Sequence, residues 1–450
     1  MKNTILILFA AASFSAAADV AAEIDGAWIA EVSSKSAEPQ YARVTLHIAG
    51  TAITGTWNQL TVTGAASGDR VNLSLLANGS ANGSGNGPRN GAPAGTLALT
   101  ANGSGFSGEG RPSGGAFGGG RGRGGGTENT VAIKLTRPPI PPPGGPRTVD
   151  YEPRVFYGYY SASNPPALRI FPGDTVRTRT FDASGRDNDR RTPGGNLETG
   201  PFYIEGALPG DTLVVKLNRI RVNRDSARQG SRINGRTVTP AYVAAAQYDP
   251  GFDGEWKLDR EKGIAILAHP TPRMKNFLVP ILPMLGCIAT APPGDQVYRG
   301  TDLGPFGGNM DYNQMGEGVT LYLPVFHPGG LLTMGDAHAA MGDGELTGSA
   351  LETSVDVAFT VDLIPGFATA GPRLENADYL MAMGVAGSIA DSIQVATTQL
   401  VEWLKREYKL NDSETAVLLG AVLKYDITEM VDPQFNVVAK VPKSALKVLQ

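Results

Sequence analysis

Glycine and proline punctuate this chain more densely than an ordinary fold requires. There are 58 glycines and 32 prolines among 450 residues, a fifth of the chain, against about 12% in average usage. Breaks that frequent leave little room for long helices. With aromatic residues at only 7%, they favour many short strands joined by turns. Hydrophobic residues, 41% of the chain, suffice for sizeable cores, and the length suits about three domains of ordinary size. The 39 Lys and Arg nearly balance 43 Asp and Glu, a net charge of −4. That balance argues against general electrostatic capture of nucleic acid or of an anionic membrane, so neither is an expected partner. Cys287 is the one cysteine, which excludes a disulfide framework.

The first residues read as an export signal spanning 1–18. Met1-Lys2 gives a positive start, Ile5 to Ala12 is apolar, and Ala16-Ala17-Ala18 supplies a small-residue cleavage region. The apolar run is too short for a permanent membrane span, so a periplasmic or secreted protein is expected. Residues 24–136 predict a small antiparallel β domain. Alternating segments at 42–48, 52–57, 71–75, 96–100 and 131–135 are bounded by Gly, Asn or Ser, the pattern of strands and hairpins. Two Gly-rich tracts, about 78–95 and 107–128, read as hairpin loops. The second holds Arg121 and Arg123 without an interleaved aromatic, which leaves base stacking on an RNA unsupported. Residues 137–146, Arg-Pro-Pro-Ile-Pro-Pro-Pro-Gly-Gly-Pro, predict an extended, semi-rigid linker.

From 147 to about 366 the chain is again strand-rich, with Pro-Gly turns at Pro172-Gly173 and Pro209-Gly210. Gly194-Gly195-Asn196 and Gly307-Gly308-Asn309 echo each other, which suggests a duplicated sandwich-like unit. Helical segments lie at about 386–424. Ile389, Ile393, Ala396, Leu400 and Leu404 have helical spacing over 386–409, and Asn411 with Glu414 forms a capping box for a helix at 412–424. Both helices are expected to pack over the sheet, and residues 437–441 to form a strand.

Few residues are available for chemistry. The four histidines are His47, His269, His327 and His338. A serine nucleophile elbow is absent outside low-complexity sequence. Cys287 lies in an apolar, strand-like run, where burial would raise its pKa and leave the thiol inert. His269 and His327 precede prolines and read as loop residues. Residues 304–345 stand apart. Asp311 follows Gly307-Gly308-Asn309-Met310, Asp336 and His338 are two apart, and Gly342-Asp343-Gly344-Glu345 adds two carboxylates. In an extended segment Asp336 and His338 share a side. Imidazole with carboxylates suits zinc or a comparable divalent ion, calcium included. Gly-Asp pairs also serve tight turns, and the residues alone leave these two readings open.

Several motifs in order carry a resemblance over roughly 147–446. Thr199-Gly200-Pro201-Phe202-Tyr203-Ile204-Glu205-Gly206-Ala207, Gly307-Gly308-Asn309-Met310-Asp311, Pro328-Gly329-Gly330, Gly335-Asp336-Ala337-His338 and Gly342-Asp343-Gly344-Glu345 resemble the acetamidase/formamidase family. The resemblance implies a mainly β, sandwich- or barrel-like core with a C-terminal α+β part over 147–450. It also implies hydrolysis of a small linear amide with release of ammonia, assisted by a divalent metal. On that reading Asp311, Asp336 and His338 hold the metal, Glu345 or Asp336 carries a proton, and Asn309 supports the oxyanion. A small amide is then the expected partner, and a homodimer is the assembly considered. A secreted binding protein of the same fold with altered chemistry is the alternative. Two positions depart from the family pattern: Asn196-Leu197-Glu198 stands where a histidine is usual, and Met341 where glutamine is. Each is expected to remove a polar group from the site.

Overall fold

Alternation of apolar and polar residues closes the N-terminal part of the chain into a barrel. The computed structural model describes residues 23–35, 37–78, 91–113, 130–188, 190 and 194–449. The expected signal segment 1–18 lies outside the described residues. The chain divides into two compact units, Met1–Ile140 and Pro141–Gln450, so the division falls within the proline-rich run.

The first unit has eight antiparallel strands: β1 (Gly26–Ser34), β2 (Ala37–Ala49), β3 (Ala52–Trp57), β4 (Leu60–Ser67), β5 (Arg70–Leu76), β6 (Pro93–Ala101), β7 (Gly105–Pro112) and β8 (Val131–Thr136). Each pairs with the next, and β1 pairs with β8, Val32 opposite Ile133, to close the ring. Period-two side chains such as Val44, Leu46, Leu73, Leu75, Leu97 and Leu99 fill the interior. Burial of each large one stabilises the fold by about 1.5–3 kcal/mol. Trp28 meets Phe106 edge-on at 5.3 Å and donates its indole N–H to the Ile24 carbonyl at 2.7 Å. The loop assigned to 107–128 needs correction at its start, because residues 107–112 belong to β7. A Cβ on Gly108 would lie 1.9 Å from the Ala98 carbonyl oxygen. Glycine there permits close strand approach, and its abundance hides the strand pattern. The loop assigned to 78–95 needs the same correction at its end, because residues 93–95 belong to β6. Residues 79–90 and 114–128 of the two tracts lie outside the described residues.

The second unit is built on a twelve-stranded and a nine-stranded sheet. Phe202, Leu285, Leu332 and Met334 of the first share one apolar cluster with Leu213, Val215, Leu321 and Phe359 of the second. This is the packing of a sandwich, and the mainly β expectation holds. The helix Ile389–Tyr408 covers the strands Tyr379–Ala386 and Phe435–Pro442 of the nine-stranded sheet, burying Ala396, Leu400, Trp403 and Leu404. Asn411 and Glu414 form the expected capping box, with bonds of 2.9 and 2.8 Å. That second helix, Asp412–Val422, stops because Leu423 is extended and leads into the strand Lys424–Glu429. This strand is not among the elements expected above, and its last residue, Glu429, enters the site.

Candidate functional site

The strand Leu332–His338, buried at every residue, is the scaffold. It pairs antiparallel with Met284–Ala289 and Glu352–Thr353, which sets His338 opposite both Met284 and Glu352. Cross-strand neighbours on one face come within side-chain reach, and Glu352 Oε2 lies 3.4 Å from His338 Nε2. The strand Gly307–Asn309 pairs on the far side of Met284–Ala289, with Asn309 opposite Cys287, and delivers Asp311 just beyond its end.

Backbone conformation concentrates at this point. Asn196, Asp311, Asp336 and Glu345 have φ of 46°, 40°, 50° and 46°. Left-handed conformations cost a non-glycine residue about 1–3 kcal/mol each and collect where function demands a particular side-chain direction. Asp336 is therefore not part of a regular extended segment, as its spacing from His338 suggested. Gly286 faces the same spot. A Cβ there would lie 2.4 Å from Asp311 Oδ1 and 2.9 Å from Asp336 Oδ2, so only glycine leaves room for the two carboxylates.

Around His338 the distances are 3.4 Å to Asp336 Oδ1, 3.9 Å to Glu345 Oε1 and 4.0 Å from Nδ1 to Asp311 Oδ1. These contacts lack hydrogen-bond alignment: both ring nitrogens, both Asp311 oxygens, Asp336 Oδ1 and Glu352 Oε2 are buried without a hydrogen-bond partner. Buried polar atoms of native proteins are nearly all satisfied. Burial pushes the carboxyls of Asp311 and Glu345 well above the usual range, and neighbouring carboxylates add to it. Glu352 is pushed up to about 7, again chiefly by burial. Burial alone would push His338 down, but the charges of Glu352 and Asp336 outweigh it and hold the imidazole well above its ordinary value. Among the described residues, no Lys or Arg forms an ion pair with any of these carboxylates. Each of three sets, Asp311/Asp336/His338, His338/Glu345/Glu352 and Asp311/Glu429/Asp432, brings its ligand atoms within 4.8 Å of one another. Carboxylate-rich, imidazole-containing and short of positive charge, this cluster fits a divalent cation.

A second layer adjoins it. The Cys287 thiol donates to Asn309 Oδ1 at 2.9 Å, and Asn309 Nδ2 donates to Asp432. Burial, then the charges of Glu198 and Asp336, push the thiol up. The expected inert cysteine is therefore a protonated donor, but its surroundings are polar, not apolar. Tyr160 O–H donates to Glu198 Oε1 at 3.2 Å, and Glu198 is itself pushed well up by burial. Asn196 Nδ2 reaches Asp336 Oδ2 at 3.2 Å and Asn309 Oδ1 at 3.4 Å, so the two Gly-Gly-Asn echoes converge on one site.

All five residues singled out in the sequence, Asn309, Asp311, Asp336, His338 and Glu345, lie in or beside this cluster. Glu352, Glu429, Asp432, Glu198 and Asn196 were missed. The expected loss of a polar group at Asn196-Leu197-Glu198 is corrected, since Asn196 and Glu198 both supply buried polar groups. Met341 does present an apolar side chain, in a cavity beside Glu345. His269 bonds Asp253 on the surface and His327 bonds the Pro292 carbonyl, both away from the cluster.

Residues 298–443 match the model of the Acetamidase/Formamidase family. The acetamidase of Mycolicibacterium smegmatis is 26% identical over 223 residues, 38% of this chain and 54% of that protein. The formamidase of Methylophilus methylotrophus is 24% identical over 233 residues, 41% and 57% respectively. The chain thus spans about half the length of the curated relatives it matches. The solved acetamidase of Yersinia enterocolitica superposes with a TM-score of 0.58 at 28% identity, over 67% of this chain and 93% of that one. Residues 298–443, which hold Asp311, Asp336, His338, Glu345, Glu352, Glu429 and Asp432, are thus similar to the acetamidase/formamidase family.

Proposed function

We propose that the chain hydrolyses the C–N bond of a small linear amide, releasing ammonia, with a divalent cation at the Asp311/Asp336/His338 cluster. The observation that carries this reading is the set of buried, unpartnered carboxylate and imidazole atoms around His338. Zinc is the proposed ion, because imidazole and carboxylates together suit it. Asp311, Asp336 and His338 would hold it, with Glu352 across the strand pair from His338. The chemistry a divalent cation supplies in such a site is Lewis acidity toward a carbonyl oxygen and a lowered pKa for water.

The side chains do the rest. Glu345 accepts the proton of the attacking water and passes it to the departing nitrogen, so that amide and water become carboxylate and ammonium. Asn309 has one N–H committed to Asp432. Its second N–H is available to the oxygen on which negative charge develops. Asn196 orients Asp336 through its 3.2 Å bond, and the raised pKa of Cys287 keeps that thiol a donor and not a competing nucleophile.

The test is ammonia release from formamide, acetamide and longer linear amides by the full chain. Release that scales with enzyme is expected, and its absence from every amide overturns the proposal. Gly286→Ala should act on the site without replacing any ligand residue. Its methyl group would displace Asp311 and Asp336, so zinc content and turnover are both expected to fall at least about tenfold, as for lost outer support of a metal site. Unchanged zinc content would contradict the crowding argument.

A further inference from the structure

The second unit contains a cavity of about 790 Å³ that counts Glu345 among its lining residues. A formamide-sized molecule fills the space of about two waters, at about 30 Å³ each. It would occupy roughly a tenth of this volume. The wall is largely apolar: Phe252, Trp256, Leu267, Met274, Phe277 and Val279 contribute to it. Trp256 and Phe277 lie 5.9 Å apart between ring centroids. Phe277 is 46% exposed and Leu282, at the same cavity, 64%, so large apolar side chains remain uncovered there. An apolar hollow of this size with a few polar groups at one point is the usual form of a small-molecule site. Among the described residues, the ionisable ones that line it are Asp343 and Glu345, both acidic, with no Lys, Arg or His.

We infer that this cavity is the subsite for the acyl portion of the substrate, an uncharged apolar group of about phenylacetyl or hexanoyl size, with the carboxamide at Glu345. The inference rests on the amide hydrolysis proposed above. Since ammonia leaves, the amide nitrogen carries no substituent, and only the acyl side can fill the volume. Asp343 and Glu345 repel a carboxylate on that side, and the apolar wall favours uncharged chains. Each methylene taken from water raises affinity about fourfold, so four of them are worth about a hundredfold or more.

The experiment compares initial rates of ammonia release from acetamide, hexanamide, phenylacetamide and succinamate with the full chain, and measures phenylacetamide binding by calorimetry. Expected is a kcat/KM for hexanamide or phenylacetamide about a hundredfold above that for acetamide, with no such gain for the anionic succinamate. Gly342→Trp tests the location. Gly342 lines the cavity, its φ is −86°, and a Cβ there meets no heavy atom within 4 Å. A side chain there meets no backbone strain, and the indole is expected to occupy part of the cavity, so the preference for the larger amides should fall at least tenfold. Acetamide turned over as efficiently as the larger amides would overturn the acyl subsite and leave the hydrolysis standing. Phenylacetamide bound, with no ammonia from any amide, would sink the hydrolysis and the acyl role with it. The comparison of substrates needs no variant, so a Gly342→Trp chain that fails to fold does not rescue the inference.

Discussion

Glu345→Gln is expected to lower ammonia release by about a hundredfold or more while the metal content stays as in the parent. The substitution keeps the size and shape of the side chain and removes its capacity to take up a proton. Glu345 is 7% exposed, and its carboxyl is pushed up by burial against the opposing effect of His338. A carboxyl held above its ordinary range takes up a proton more readily than a free one, which suits a group that receives a proton from water and returns it to the departing nitrogen. Its place beside both the His338 cluster and the large cavity puts it where a substrate carbonyl and the proposed cation would meet. Parallel measurement of turnover and bound metal separates the roles. Full activity would pass the proton to Asp336, and loss of metal with activity would make Glu345 a ligand.

His338→Ala and Asp311→Ala have the larger expected effect, about a thousandfold or more in turnover, with bound metal lost. A cation contributes several kcal/mol to the stabilisation of charge in the transition state, and both residues offer buried atoms that the protein leaves unpartnered. Removing the imidazole also leaves the carboxylates of Asp336, Glu345 and Glu352 facing one another. Were these residues only shaping turns, stability would fall by around 1 kcal/mol and activity per folded molecule would persist. Thermal melts alongside metal analysis distinguish the two results.

The acids of this site that follow glycines were legible, because Gly-Asp and Gly-Asp-Gly-Glu stand out in the largely uncharged stretch 304–345. Asp311, Asp336, His338 and Glu345 belong to one stretch of sequence, and local spacing brought them together on paper as the sheet does in space. Glu352 and Glu429 were not legible for a definite reason. Each sits in a strand, where an acid reads as a solvent-facing position of the two-residue period, and burial is decided by pairing with strands remote in sequence. Glu352 is opposite His338 through a two-residue strand. Glu429 arrives at the end of Lys424–Glu429, which pairs with Phe435–Pro442. Asn196 and Glu198 read as a loss in the sequence because the histidine usual there is absent, and only the fold shows the buried polar groups that stand in its place. In the barrel, β7 was hidden by the same glycines that let its neighbours approach so closely.

The proposed divalent cation at the His338 cluster would serve amide hydrolysis. Elemental analysis of the purified full chain, coupled to ammonia release before and after chelation, tests it most directly. About one zinc per chain is expected, with activity lost when the metal is removed and restored by adding zinc back. A chain that releases ammonia at full rate with no divalent metal bound would contradict it.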